Sequence, residues 1–145
     1  MERFRRFASL PPDDRRRFLF ALPVVATVRA ALWILPFGKL RSAIARLVHR
    51  RSGSNPRLPD EADRIAWSVG SAARFVPKAS CLTQALAGEV LLIRAGYPAQ
   101  VRIGVAKDPA GKLEAHAWVE SDGRVVIGDH DLHRFTTLGS SDTAS

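Results

Sequence analysis

The hydrophobic period changes once along this chain, and where it changes constrains the fold more than any other feature. Up to about residue 95 apolar residues recur at helical spacing. Beyond Gly96 and Pro98 they alternate with a period of two. A chain ordered this way folds as helices first and then a small antiparallel sheet, an α+β arrangement.

The helical part predicts segments near 12–22 and 24–35, with Pro23 starting or kinking the second, and a third over 38–50 with Leu40, Ile44, Leu47 and Val48 on one face. Residues 51–56 read as a linker. Asp60 is an expected N-cap for a helix over 60–74. The next helix runs from Cys81 to about Ala95, with Gly96 as its C′ residue. Strands follow over 101–106, 113–120 and 124–129. Asp122-Gly123 is the two-residue hairpin signal between the last two. The division expected is an N-terminal helical extension over 1–55, a core over 56–138 and a flexible tail over 139–145.

A signal or spanning segment is weighed at Phe18 to Val28, which follows Arg15-Arg16-Arg17. Pro23 interrupts that run and Arg29 ends it, so buried or interface-forming helices are expected instead. The net charge is +8 over 145 residues, much of it from arginines before residue 58. Such a balance favours acidic partners and says nothing of fold. A solvated arginine-rich surface accounts for it equally well. Zinc-finger, helix-turn-helix, Walker and dinucleotide glycine motifs are absent from the sequence, so no nucleic-acid partner is assigned.

Cys81 is the one cysteine, so an internal disulfide is impossible and a reducing cytoplasm is the expected compartment. Its place at a helix start favours a thiolate and offers unpaired backbone N–H groups to an oxyanion. If Asp122 and Gly123 form the turn, paired residues sum to 245 and His116 faces Asp129. The first hairpin, centred between Pro109 and Ala110, sets His116 near Ile103. Opposed residues have Cβ atoms about 4.5–5.5 Å apart, right for a carboxylate to hold one imidazole nitrogen while the other meets the thiol. The reading is therefore a Cys81-His116-Asp129 nucleophilic triad, with Asp131 replacing Asp129 if the strand bulges. Gln84 is a candidate for oxyanion help, and Trp118 for shielding the pair or lining the substrate cleft. Against this, a lone helix cysteine is more often a small buried hydrophobe, and a strand histidine is usually structural. The run Asp129-His130-Asp131-Leu132-His133 offers metal donors but not paired zinc spacing, so neither metal nor cofactor is assigned.

Val76-Pro77, Cys81-Leu82, Ala85-Leu86, Arg94-Ala95-Gly96, Ile103-Gly104-Val105, His116-Ala117-Trp118-Val119-Glu120 and Gly128-Asp129 together resemble the transglutaminase-like cysteine peptidases of lasso-peptide biosynthesis, the B2 or leader-peptidase proteins. The strong part covers about 60–130. The resemblance implies a papain/transglutaminase-like core in which a cysteine-bearing helix packs on a small antiparallel sheet. It implies that Cys81, His116 and Asp129 are catalytic. It also implies removal of the leader from a ribosomally made precursor through an acyl-enzyme, ahead of a separate asparagine-synthetase-like cyclase. The first 55 residues read as helices without a winged-helix-like module, so a separate, B1-type protein is expected to present the leader. The basic N-terminal half would dock that protein, the cyclase or a membrane face. Transglutaminase-like acyl or amide transfer on the same triad, and a non-catalytic peptide-binding adaptor, are the rival readings.

Overall fold

The computed structural model describes residues 5, 8–49 and 60–138, with only the backbone of 47–49. The linker expected at 51–56, the 55/56 boundary and the tail from 139 lie outside those residues. Among the described residues four bounded helices precede the sheet: α1 over Pro12–Ile34, α2 over Phe37–His49, α3 over Glu61–Ala73 and α4 over Cys81–Arg94. The strands are β1, Gln100–Lys107; β2, Leu113–Ser121; β3, Arg124–Ile127; and β4, Thr136–Thr137. They form one antiparallel sheet in the order β3-β2-β1-β4. This is the α+β core expected from the change of period.

Pro23 does not split the first helix. It lies on the exposed side of α1, so the carbonyl it leaves without a helical donor is turned toward solvent. The continuous helix is long and apolar enough by length and composition to cross a membrane. However, its Phe18, Ala21, Val25 and Val28 belong to the hydrophobic core shared with α3, α4 and the sheet. Leu40 and Ile44 of α2 join the same core.

Two ends of α4 are built by local sequence. Ser80 precedes it in extended conformation, and its Oγ accepts from the Thr83 N–H at 3.3 Å, an N-cap. At the other end Gly96 takes φ +91°, its N–H donates to Ile93 O at 3.0 Å and the Tyr97 N–H donates to Leu92 O at 2.9 Å. That pair of bonds is a Schellman stop, which glycine alone enters without a Cβ penalty. The expected cap on α3 is different: Asp60 is left-handed and its side chain makes no cap hydrogen bond.

Helix α4 is nearly buried all round, with Ala85, Leu86, Ala87 and Leu92 wholly inside. Gly88 lets it approach β3, because a Cβ there would stand 2.1 Å from Ile127 Cδ1. Val101, Ala117, Val119 and Ile127 form the sheet face in the core with α4. By alternation His116, Trp118 and Gly104 occupy the opposite face.

Both hairpin registers differ from the sequence expectation by one residue. In the first, His116 pairs with Gly104 and not with Ile103. The connection is a five-residue loop closed by Asp108 N–H to Lys112 O at 2.9 Å, with Gly111 at φ +81°, so the centre of the loop moves by half a residue. In the second, the Asp122-Gly123 turn is present with both residues at positive φ. Ser121 pairs Arg124 and Glu120 pairs Val125, but Val119 then pairs Ile127 across a bulge. The strand ends there, short of the expected 129.

Candidate active site

Cys81 begins α4 and is half-buried against the core. Because Ser80 Oγ takes the Thr83 N–H, and the Ser80 carbonyl takes the Gln84 N–H at 3.1 Å, the Cys81 and Leu82 N–H groups are left without acceptors among the described residues. They are the donors that a helix start presents to an incoming anion. Lys78, at φ +59°, turns the chain into this start.

His116 is buried in the middle of β2. Its Nε2 lies 2.8 Å from the Gly128 carbonyl oxygen. With Nε2–H donating to that carbonyl, Nδ1 keeps its lone pair, and no described residue hydrogen-bonds it. The imidazole is walled by three rings: Phe135 at 5.3 Å, His130 at 4.9 Å and Trp118 at 6.1 Å between centroids. Trp118 is itself buried and lies across Gly104, where a Cβ would stand 2.9 Å from its ring. Its indole N–H donates to Glu120 Oε1 at 3.2 Å, and Arg102 Nε holds Glu120 Oε2 at 3.3 Å.

Helix α4, with Cys81 at its start, packs on the core-facing side of the sheet, whereas His116 alternates to the other face of β2. Among the described residues there is no hydrogen bond between His116 and Cys81, nor between His116 and Asp129. The bulge removes the direct His116–Asp129 pairing, and Asp129 is exposed just past β3. The backbone carbonyl next to it holds the ring instead. Asp131, in the left-handed region, is exposed too. Gln84 points into a groove between α3 and α4. No cluster of three metal-binding side chains occurs among the described residues.

Sequence reasoning missed Ser80, the Gly128 carbonyl, His130 and Phe135. Ser80 was legible, as a serine immediately before an apolar helical run. Phe135 was not, because it reaches His116 only after the chain returns through a 3-10 turn over Leu132–Arg134 and pairs β4 with β1.

A buried thiol-bearing helix laid on a small antiparallel sheet with a histidine on an inner strand is the architecture of papain-like and transglutaminase-like proteins. Residues 24–140 match the model of the transglutaminase-like superfamily. The match covers most of the chain, which therefore belongs to that superfamily, a group of cysteine-dependent peptidases and acyl transferases. No curated protein and no solved structure shows a significant match to this chain.

Proposed function

We propose that this protein is a cysteine peptidase that removes the leader from a ribosomally made lasso-type precursor. The observation that carries the reading is Cys81 at the start of a Ser80-capped helix, with the Cys81 and Leu82 N–H groups free, in a chain of this superfamily. The lasso assignment rests on the residues that resemble the B2 proteins, above all His116-Ala117-Trp118-Val119-Glu120 below Cys81-Leu82.

In this mechanism His116 Nδ1 takes the Cys81 proton as sulfur attacks the carbonyl at the leader–core bond. The oxyanion is received by the free N–H groups of the helix start, with Gln84 as a further candidate. His116 returns the proton to the departing core amine, leaving a leader thioester on Cys81. Water activated by His116 then releases the leader acid and the thiol. The Gly128 carbonyl keeps the imidazole in the tautomer this sequence needs, and Asp129 beside it stabilises the imidazolium. Catalytic hydrogen bonds commonly tighten only with substrate bound, which is when His116 Nδ1 meets Cys81 Sγ. A separate recognition protein brings the leader, and the cyclase takes the freed amine.

The test is mass spectrometry of a cognate precursor incubated with the protein, with and without the recognition partner, beside Cys81→Ala. Cleavage at one leader–core bond, absent in Cys81→Ala, is the expected result. Products carrying an added amine in place of water would replace hydrolysis by acyl transfer. No change in the precursor under any mixture would overturn the peptidase reading.

A further inference from the structure

A groove of about 580 Å³ opens between α3 and the start of α4. Its polar lining is Trp67, Ser71, Arg74 and Gln84. Gln84 is three residues beyond Cys81, one turn along the same helix face, and Ala79 of the lining is two residues before it. The groove therefore lies within about one helical turn of Cys81 along the chain.

Its polar side chains are unengaged among the described residues. None of these four side chains has a hydrogen bond, ion pair or ring contact with another described residue. Arg74 is thus an exposed cation with no carboxylate partner among the described residues. Trp67 is 42% exposed and presents a large flat surface to nothing. At Gly70 an added Cβ would meet open space, so the groove floor is bare.

We propose that this groove is the subsite for the acyl-side segment of the substrate peptide and that Arg74 selects an acidic side chain there. The proposal rests on the peptidase reading for the identity of that segment. The lining comes wholly from α3, the α3–α4 loop and α4, with no residue from the sheet. His116, which protonates the departing amine, is on β2. The leaving segment therefore belongs on the sheet side of Cys81 and the acyl segment on the helical side. There Trp67 covers the peptide's apolar stems, and Ser71 and Gln84 hydrogen-bond its backbone. Arg74 forms the planar two-bond pair with a carboxylate that its guanidinium geometry favours.

Two measurements test this separately from the peptidase reading. The first is binding of fluorescein-labelled alanine-glycine decapeptides with a single central Glu, or Lys in its place, to the Cys81→Ser protein by fluorescence polarisation. Glu peptides are expected to bind about 2- to 5-fold more tightly, the scale of one exposed charge contact. Arg74→Glu is expected to reverse that preference. Gly70→Leu, whose Cβ meets open space over the groove, is expected to abolish binding of both peptides without lowering the melting temperature. The second is a scan of the precursor's acidic leader residues, comparing kcat/KM in wild type and Arg74→Glu. One Glu or Asp to Lys change is expected to be rescued by Arg74→Glu, through KM. Equal Glu and Lys binding in wild type, or a preference that survives Arg74→Glu, overturns the subsite. Arg74-dependent binding with no cleavage of any precursor keeps the subsite and removes the peptidase reading. Cleavage indifferent to Arg74→Glu does the reverse.

Discussion

His116 Nε2 is held by the carbonyl oxygen of Gly128 at 2.8 Å, the residue before the acid first expected to hold it. Gly128 reaches this place at φ +81°, pressed so close to β2 that a Cβ would lie 2.9 Å from the Ala117 carbonyl oxygen and 3.1 Å from Trp118 Cβ. Neither neighbour is the free end of a flexible side chain. Gly128→Ala is therefore expected to cost about 1–3 kcal/mol of stability in urea unfolding, from backbone strain and crowding. Precursor processing should fall further than that loss explains, because the carbonyl moves with the strand.

The same contact orders the variants of His116 and Asp129. His116→Ala should abolish processing. Asp129→Asn should cost about 10²-fold, less than the roughly 10⁴-fold of a triad in which the aspartate alone holds the tautomer, because the Gly128 carbonyl still holds it. Single-turnover rates of the two variants check the order. A loss in Asp129→Asn as deep as in His116→Ala would make the carboxylate the essential orienting group.

Ser80 caps the helix that carries the thiol, and two substitutions separate its roles. Ser80→Ala loses the acceptor for the Thr83 N–H and should cost about 1 kcal/mol in chemical denaturation. Ser80→Asp keeps a good cap and nearly all of that stability, but places a carboxylate beside Cys81. Iodoacetamide labelling of native Ser80→Asp protein is expected to slow about 3- to 10-fold, the Coulomb scale for like charges about 5 Å apart at an exposed position screened by water.

Glu89 lies on α4, buried, and its carboxylate is paired to the Arg41 guanidinium of α2. Desolvation pushes its pKa above the ordinary glutamate value, and Arg41 opposes that shift by Coulomb attraction and a hydrogen bond. A carboxyl whose folded pKa is raised holds its proton better in the native state than in the unfolded chain. Its contribution therefore favours folding below the ordinary glutamate pKa and is lost as pH rises through the raised folded pKa. Melting temperatures of wild type relative to Glu89→Gln are expected to fall across the window just above the ordinary glutamate pKa; a flat difference would contradict this. Arg41→Met, which strands the carboxylate, should cost about 3 kcal/mol at neutral pH.

The division between sequence and tertiary structure follows the range of the interactions involved. Ser80 before an apolar run, Gly96 after it and Asp122-Gly123 between alternating segments act through bonds a few residues long, so they could be read directly and they recur in the structure. Cys81 at a helix start and His116 on an inner strand follow from those local signals. Pro23 was misread because its penalty depends on which side of α1 meets water, and the packing of Phe18, Ala21 and Val25 determines that. The partner of His116 was misread for a related reason. Counting outward from a turn assumes an unbroken ladder, and one extra residue between Val125 and Ile127 shifts every later pairing. Whether a bulge forms is decided by how the two strands pack, which no local signal records. The ring of Phe135, the bare floor at Gly70 and the lone guanidinium of Arg74 are likewise products of chain return and helix approach. The sequence by itself determined that Cys81 stands at a helix start and His116 on an inner strand, because short-range capping and turn energies select those positions. The tertiary structure alone decided what each one touches, because those contacts arise only when distant segments pack.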